Sequence, residues 1–529
     1  MTSNSPSTSA PPRKGLLGSS LITGSMTMVS RVLGLMRDQV LAHVMGAGGA
    51  ADVFFLAFKI PNFFRRLFSE GAFSQAFVPV LSEYRTKGSH AAVQALVDRV
   101  AACLGSVLLL VSVLAIVGAP VVATVFAPGF RGDPVKFALL VDLIRIIFPY
   151  LLLISLTGFA GAILNSYDRF AVPAFTPVLL NICMISAALF AAPWFSQPAY
   201  ALAWGVLTAG VLSLMFQLPF LQRIHLLPRP QLDWRDPGVK KILTLMVPAL
   251  FGVSVSQINL MLDAIIASFL PDGSVGWLFY SDRLVELPLG VFAVAIATVI
   301  MPSLSRQHSG QSAEAFSRTL DWAVRLIFLI AVPAALALII LAQPIILTLF
   351  QHGQLTVHDA LMSSYSLKAY TLGLLGFMLI KVLAPGYFAR QDMKTPVRVG
   401  IIAIGANILM KILLVAPLYL YFSLGHVGLA LATALAAYVN AYLLYRGLRA
   451  NGVYLPGSHW SQTALRYGLA NIAMVAVLLG VLQGWNGWEE WLWWQRAWRL
   501  AIICVAGATA YGMTLVLAGV RIQHLRAPS

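Results

Sequence analysis

Long apolar stretches, separated by short polar links, run through almost the whole chain. A bilayer-spanning helix needs about 20 mainly apolar residues, and about fourteen stretches of that length follow one another. They lie near 19–45, 52–85, 93–126, 137–165, 172–193, 199–222, 239–270, 274–305, 316–350, 361–388, 396–420, 426–449, 462–483 and 497–519. The pattern predicts an all-α polytopic membrane protein with about 14 transmembrane helices. Because the first, second and eighth stretches are polar for membrane helices, twelve or thirteen spans are the alternative.

Basic residues are concentrated in every second link. The links after even-numbered stretches carry lysine and arginine, with five of them from Arg223 to Lys241, whereas the links 43–51 and 351–359 carry neither. Because cytoplasmic loops are enriched in lysine and arginine, both termini are predicted to be cytoplasmic. The chain is 59% hydrophobic and 11% charged, and its formal net charge of +16 reflects mainly this loop bias. Nucleic acid is therefore not an expected partner.

A weak internal repeat accompanies the alternating links. Pro79 and Pro302 lie in similar short motifs, and Pro173 and Pro396 follow similar polar loops, with the same spacing of 223 residues in both pairs. Repeats with an even number of spans are related by an axis along the membrane normal. The repeat predicts two six-helix lobes in a pseudo-twofold arrangement with a cavity between them. The predicted segments are a disordered cytoplasmic tail 1–18, the N-terminal lobe 19–225, a cytoplasmic linker 226–238, the C-terminal lobe 239–450, two extra helices 451–522 and a cytoplasmic tail 523–529.

Charged side chains interrupt three of the apolar stretches at helical spacing. Each charge at bilayer depth costs roughly 2.5–3.5 kcal/mol, so such residues face water or one another. Residues seven apart share a helix face, as Arg31 and Asp38 do. The set consists of six cations and five acids: Arg31, Arg37, Lys59, Arg65, Arg66 and Arg283 with Asp38, Asp52, Glu70, Asp282 and Glu286. Mutual neutralisation that fixes helix packing is one explanation. The other is a phosphate-type anion, which guanidinium groups bind with two hydrogen bonds.

A separate aspartate, Asp263, lies in the seventh stretch. A lone carboxylate in an apolar helix is a candidate coupling carboxylate for a proton or another cation, and its alternative is a paired or pore-facing residue without a coupling role. No phosphate-binding loop and no metal-ligand spacing of histidines occurs in the sequence, so an enzyme is not expected. The function class that remains is a transporter of an anionic or amphiphilic substrate.

Several long motifs resemble the MurJ (MviN) family of lipid II flippases, in the MOP exporter superfamily. They are Ser30-Arg-Val-Leu-Gly34, Arg37-Asp38, Lys59-Ile-Pro-Asn62, Arg65-Arg66, Glu70 to Pro79, Asp282-Arg283, Lys381 to Gly386 and Arg390 to Pro396. The resemblance implies fourteen spans, a cationic central cavity between two lobes, and two further helices that form a groove for the lipid tail. It implies movement of the undecaprenyl-pyrophosphate-linked peptidoglycan precursor, lipid II, from the inner to the outer leaflet of the bacterial cytoplasmic membrane by alternating access.

The same resemblance assigns roles to individual residues. The residues implied in substrate binding are Arg31, Arg37, Arg65, Arg283, Lys59 and Asn62, and those implied as supporting charges are Asp38, Asp52, Arg66, Glu70, Asp282 and Glu286. Gly276 stands where some relatives have a cavity serine. Expected partners are lipid II, membrane lipids and cell-wall synthesis proteins.

No cofactor is expected. Three energy sources stay open: sodium, a proton and the membrane potential. Sodium is included because some relatives have a sodium site in the C-terminal lobe. Two transport alternatives stay open: an exporter of another lipid-linked oligosaccharide, and a cation-coupled drug antiporter of the same superfamily. A membrane scaffold without transport is the third alternative.

Overall fold

The computed structural model describes residues 14–67, 73–310, 312–457 and 459–521, which form helices and connecting turns without a strand. The first ten α-helices are α1 (Lys14–Met45), α2 (Gly49–Arg65), α3 (Ser74–Lys87), α4 (His90–Val117), α5 (Ala119–Phe126), α6 (Pro134–Ile147), α7 (Pro149–Ser166), α8 (Ala171–Ser186), α9 (Pro198–Arg223) and α10 (Pro237–Ala267). The second ten are α11 (Ser274–Pro288), α12 (Val294–Ser309), α13 (Ala313–Ile340), α14 (Ala342–Leu349), α15 (Val357–Leu372), α16 (Leu374–Phe388), α17 (Lys394–Phe422), α18 (Gly425–Ala450), α19 (Trp460–Gln483) and α20 (Trp493–Leu517). Short 3-10 or π-helical segments lie at Pro128–Gly132, Ala187–Ala191, Ala192–Trp194 and Leu289–Ala293.

Eleven helical segments of this described part are long and apolar enough to cross a membrane, with helices that continue across a turn counted as one. The predicted all-α polytopic architecture is therefore confirmed. Three regions that were predicted as spans are not among the eleven, namely α1, α2 with α3, and α10. Each of them carries charged side chains, for example Arg31, Lys59 and Asp263. The count of fourteen stays a prediction.

Local sequence signals fix several helix boundaries. The Ser89 hydroxyl accepts a hydrogen bond from the Ala92 amide at the start of α4, as is usual for a helix N-cap. Thr356 and Asp359 form a reciprocal capping box at the start of α15. The first helix begins at Lys14, so residues 14–18 are helical, whereas their composition predicts a disordered tail.

The chain packs into two compact units that do not follow chain order. Unit 1 consists of Met1–Val40, Ile60–Ala119 and Asp142–Val253, and unit 2 consists of Leu41–Lys59, Pro120–Val141 and Ser254–Ser529. Packing assigns two segments of the predicted N-terminal lobe, Leu41–Lys59 and Pro120–Val141, to unit 2. The predicted lobe boundaries stay predictions.

The core of unit 1 is built from apolar faces of α3, α4 and α7 together with the end of α9. Phe77 is fully buried there. Its ring lies 5.2 Å from that of Phe73 and 5.0 Å from that of Phe159, measured between centroids. Such aromatic contacts add to the energy of apolar burial, and they fix α3 against α7.

In unit 2, α17 and α18 pack along each other. Their close approach depends on a glycine, because a Cβ built at Gly428 would lie 2.9 Å from the Val415 Cα. Small residues permit this spacing between membrane helices. The same device brings α16 to α18, where a Cβ at Gly376 would lie 3.1 Å from the backbone of Ala437.

A buried aspartate ties the segment before α19 to α13. Asp321 Oδ1 accepts hydrogen bonds from the Tyr454 hydroxyl at 2.8 Å and from Trp460 Nε1 at 2.7 Å. Its other oxygen, Oδ2, lies 2.8 Å from Arg325 Nη2. The Ser317 hydroxyl accepts a further hydrogen bond, of 2.8 Å, from the Leu455 amide. The entrance to the C-terminal pair of helices is therefore held by polar contacts of α13.

The opposite end of that helix pair is held by an arginine. Arg496 is 5% exposed and donates to the carbonyl oxygens of Leu347 at 3.0 Å and Glu489 at 2.9 Å. It also donates to the side chain of Gln351. Because α14 ends at Leu349, these bonds join the start of α20 to α14 and the turn that follows it.

Candidate functional site

The predicted substrate-binding residues of α1 differ in their surroundings. Arg31 is half-buried, and within the described residues it forms no hydrogen bond or ion pair through its guanidinium. Arg37 is buried, with Nη2 at 2.6 Å and Nε at 2.9 Å from Asp38 Oδ1. Its Nη1 donates to Asn181 Oδ1 at 3.1 Å, and the Asn181 amide in turn donates to the Ser30 carbonyl oxygen at 3.1 Å. The network fixes Arg37 in place before any ligand is bound.

The last residue of α2 and the residue that follows it add two arginines to unit 1. Arg65 Nε donates to Asn62 Oδ1 at 3.1 Å, so the asparagine orients the guanidinium one turn further along the helix. Arg66 is exposed. Glu70, a predicted supporting charge, lies outside the described residues.

The predicted residues of α11 form a second group, in unit 2. Arg283 Nη1 lies 2.9 Å from Glu286 Oε2, and its guanidinium carbon lies 5.5 Å from the centroid of the Phe279 ring. Asp282 is exposed, and Lys59 of α2 is half-buried. Lys59 lies close enough to Asp282 to act on its charge. Acids and cations are interspersed in this group.

Asp52 is placed at the start of a helix rather than beside a cation. Its two carboxylate oxygens accept from the backbone amides of Gly273 at 2.7 Å and Gly276 at 2.8 Å. It therefore caps the N-terminus of α11, where the first backbone amides have no partner within the helix. Gly276 is closely packed there, because an added Cβ would lie 3.0 Å from the Ala47 Cβ.

Asp263 is paired with a lysine of another helix. Lys411 of α17 brings its Nζ to 2.8 Å from Asp263 Oδ1. The same Nζ donates to Asn259 Oδ1 at 3.0 Å, and Asn407 Nδ2 donates to that oxygen at 3.2 Å. The ion pair joins residues 148 positions apart in the sequence, and no periodicity along the chain could have indicated it. Within the described residues, no three histidine, cysteine, aspartate or glutamate side chains are grouped as metal ligands.

Charge is distributed unequally among the predicted site residues. In unit 1 the described members are four arginines and one aspartate: Arg31, Arg37, Arg65, Arg66 and Asp38. In unit 2 they are two cations and four acids: Lys59 and Arg283 with Asp52, Asp263, Asp282 and Glu286. Unit 1 therefore offers the guanidinium groups for an anion, whereas unit 2 neutralises its own cations.

Comparison with known proteins gives a consistent result. The sequence model of the family described as lipid II flippase MurJ matches residues 41–494. The probable lipid II flippase MurJ of Haemophilus influenzae is 49% identical over 517 residues, which cover 94% of this chain and 99% of that protein. A solved structure of lipid II flippase MurJ in an inward closed conformation has a TM-score of 0.77 and 26% identity, covering 94% of this chain and all of the other. An inward-facing multidrug resistance MATE family transporter of the MOP superfamily shares the fold, with a TM-score of 0.61, 14% identity, and coverage of 82% of this chain and 98% of the other.

Proposed function

The chain belongs to the MurJ family of lipid II flippases, and we propose that its unit 1 arginines bind the pyrophosphate of lipid II while the lipid crosses the membrane. The observation that carries this assignment is the excess of arginine over acid among the site residues of unit 1. Guanidinium matches the oxygen geometry of phosphate with paired hydrogen bonds. A cationic drug would instead meet repulsion from the same side chains.

The three arginine environments support different contributions to binding. Asp38 and Asn181 hold Arg37, so little side-chain entropy is lost when it meets the ligand. Asn62 orients Arg65 in a similar way. Arg31, which keeps its donors available within the described part of unit 1, contributes the direct hydrogen bonds to a phosphate oxygen. Arg283 and Lys59, which belong to unit 2, are proposed as substrate contacts from the motif resemblance alone.

The wider mechanism is proposed from the family and from the loop charges. The family is one of lipid II flippases, so lipid II is proposed to move from the inner to the outer leaflet of the bacterial cytoplasmic membrane by alternating access of its headgroup. The bias of lysine and arginine toward every second loop is the basis for proposing that both termini are cytoplasmic. The α19 and α20 pair supplies an apolar groove for the undecaprenyl tail, with membrane lipids around it and cell-wall synthesis proteins as users of the product. A pyrophosphate with about two negative charges that moves outward gains about 2.3 kcal/mol per charge per 100 mV. The membrane potential is therefore the driving force that we propose for transport, on the condition that the binding cations do not move across the field with the substrate.

The test uses the full-length protein in vesicles that contain fluorescent lipid II, with the fraction accessible to an impermeant outer-face reagent as the readout. Arg31→Ala is expected to slow delivery by about 10- to 150-fold, because one charge-assisted hydrogen bond contributes about 1.5–3 kcal/mol. Arg37→Ala and Arg283→Ala are expected to abolish delivery. Arg318→Ala is the matched control, since that arginine is largely exposed and pairs only with Glu314 one helical turn away among the residues described.

Delivery by Arg31→Ala and Arg37→Ala at the control rate, with normal insertion, would refute the proposed binding site. Two further substrates separate the alternatives. Faster movement of a lipid-linked oligosaccharide with another headgroup would indicate an exporter of that lipid. Ion-driven uptake of a cationic drug would indicate an antiporter.

A further inference from the structure

Lys411 occupies an unusual position in unit 2. Its side chain is 1% exposed, although it lies within α17, one of the segments long and apolar enough to cross a membrane. A lysine is almost never fully buried unless it is paired. The oxygens that meet its ammonium come from α10, where Asp263 and Asn259 are one helical turn apart.

The surrounding amides complete a compact polar cluster. Asn407, one turn before Lys411 on α17, donates to the same Asn259 oxygen that accepts from the ammonium. The cluster therefore joins α10 to α17 through one carboxylate, one ammonium and two amides. Lys59 is also close enough to act electrostatically on the Asp263 carboxylate.

We infer that the ammonium of Lys411 is a built-in counter-cation for Asp263. The ammonium occupies the place that a sodium ion would take at this carboxylate. The inference deepens the proposed function, and its consequence for the energy source of transport rests on that function. Asp263 is then a fixed structural partner rather than a site that loads and releases a coupling cation.

The geometry of the cluster does not fit a bound metal ion. Hard cations such as sodium need several oxygen ligands, and Asp263 Oδ1 and Asn259 Oδ1 already meet the ammonium at 2.8 and 3.0 Å. The Asn407 side-chain oxygen has no hydrogen-bond partner in the described residues. A metal ion that used it together with Asp263 would lie within a few ångströms of a like charge, and that repulsion is strong away from bulk water.

The experiment measures thermal unfolding of the purified full-length protein in detergent, with sodium chloride or choline chloride at equal ionic strength. Lys411→Met is expected to lower the melting temperature by several degrees, because it leaves the Asp263 carboxylate, which is only 17% exposed, without its ion-pair partner. The double variant with Asp263→Asn is expected to recover most of that loss. Lys394→Met, at the exposed start of the same helix, is the matched control and is expected to leave the melting temperature unchanged.

Sodium is expected to leave the melting temperature of the unmodified protein unchanged relative to choline. A sodium-specific rise would overturn the inference, and this measurement does not depend on whether any variant folds. A Lys411→Met protein as stable as the control would also overturn it, as would a double variant no more stable than the single one. Because none of these readouts is transport, failure of the inference is distinguishable from failure of the proposed lipid II binding site.

Discussion

Replacement of Asp321 by alanine tests how the C-terminal helix pair is anchored. The carboxylate accepts from Tyr454 at 2.8 Å and Trp460 at 2.7 Å, and it lies 2.8 Å from Arg325. A hydrogen bond to a charged group contributes about 1.5–3 kcal/mol. The Arg325 side chain is 27% exposed, so water compensates part of the lost ion pair. Tyr454 is 1% exposed, so its hydroxyl is left buried without an acceptor.

We expect Asp321→Ala to lower the free energy of unfolding by about 3 kcal/mol, near the lower end of the range for a broken buried pair. Asp321→Asn keeps one acceptor oxygen and is expected to cost about 1–2 kcal/mol. The assay is unfolding of the purified protein in a fixed detergent and lipid mixture, together with limited proteolysis of the segment 451–457, which is expected to be cut faster in the alanine variant.

The control for this series is Glu314→Ala on the same helix. The Glu314 side chain is 84% exposed, and a surface ion pair contributes about 0–1 kcal/mol. If Asp321→Ala unfolds with the same midpoint as this control and is cut at the same rate, the prediction that Asp321 anchors the C-terminal helix pair is wrong.

Two further changes test local packing and a loop. Gly276→Val is expected to destabilise the protein by about 1–3 kcal/mol, because its Cβ would meet Ala47 at 3.0 Å. Gly400→Ala, where nothing lies within 4 Å, is the control in thermal unfolding, and equal stability of the two variants would contradict the packing. The Thr395 hydroxyl and amide lower the pKa of Asp392, so its contribution to stability is complete above the unfolded pKa and is lost as the pH falls through the lower folded value. Asp392→Asn should therefore flatten the acid side of the stability curve below about pH 4, and an unchanged acid limb would refute this role.

The helices were predictable because apolar runs report directly on local structure and membrane burial. Sequence spacing also placed Arg31 and Asp38 on one helix face. It could not show that Arg37 pairs with Asp38 and Asn181, since the asparagine comes from α8 and that proximity arises only from packing.

The contacts of two other residues could not be predicted from the sequence for the same reason. Asp52 belongs to a stripe with Lys59 on its own helix, yet its oxygens are used by amides at the start of α11. Lys411 is a charged residue in an apolar helix, and its partner Asp263 lies 148 residues away in the sequence. Helical periodicity describes one helix at a time, whereas these contacts depend on which helices become neighbours.

The anchors at both ends of the α19 and α20 pair have a consequence for its response to the bilayer. These helices contain 24 and 25 residues, a length of about 36 Å at 1.5 Å per residue, against a hydrocarbon thickness of about 30 Å. A free helix pair adapts to a thinner bilayer by tilting. Because Asp321 holds one end and Arg496 the other, this pair cannot tilt without the rest of unit 2. Lipid acyl length is thus coupled to the whole unit, and a change of bilayer thickness acts on the protein as a mechanical load.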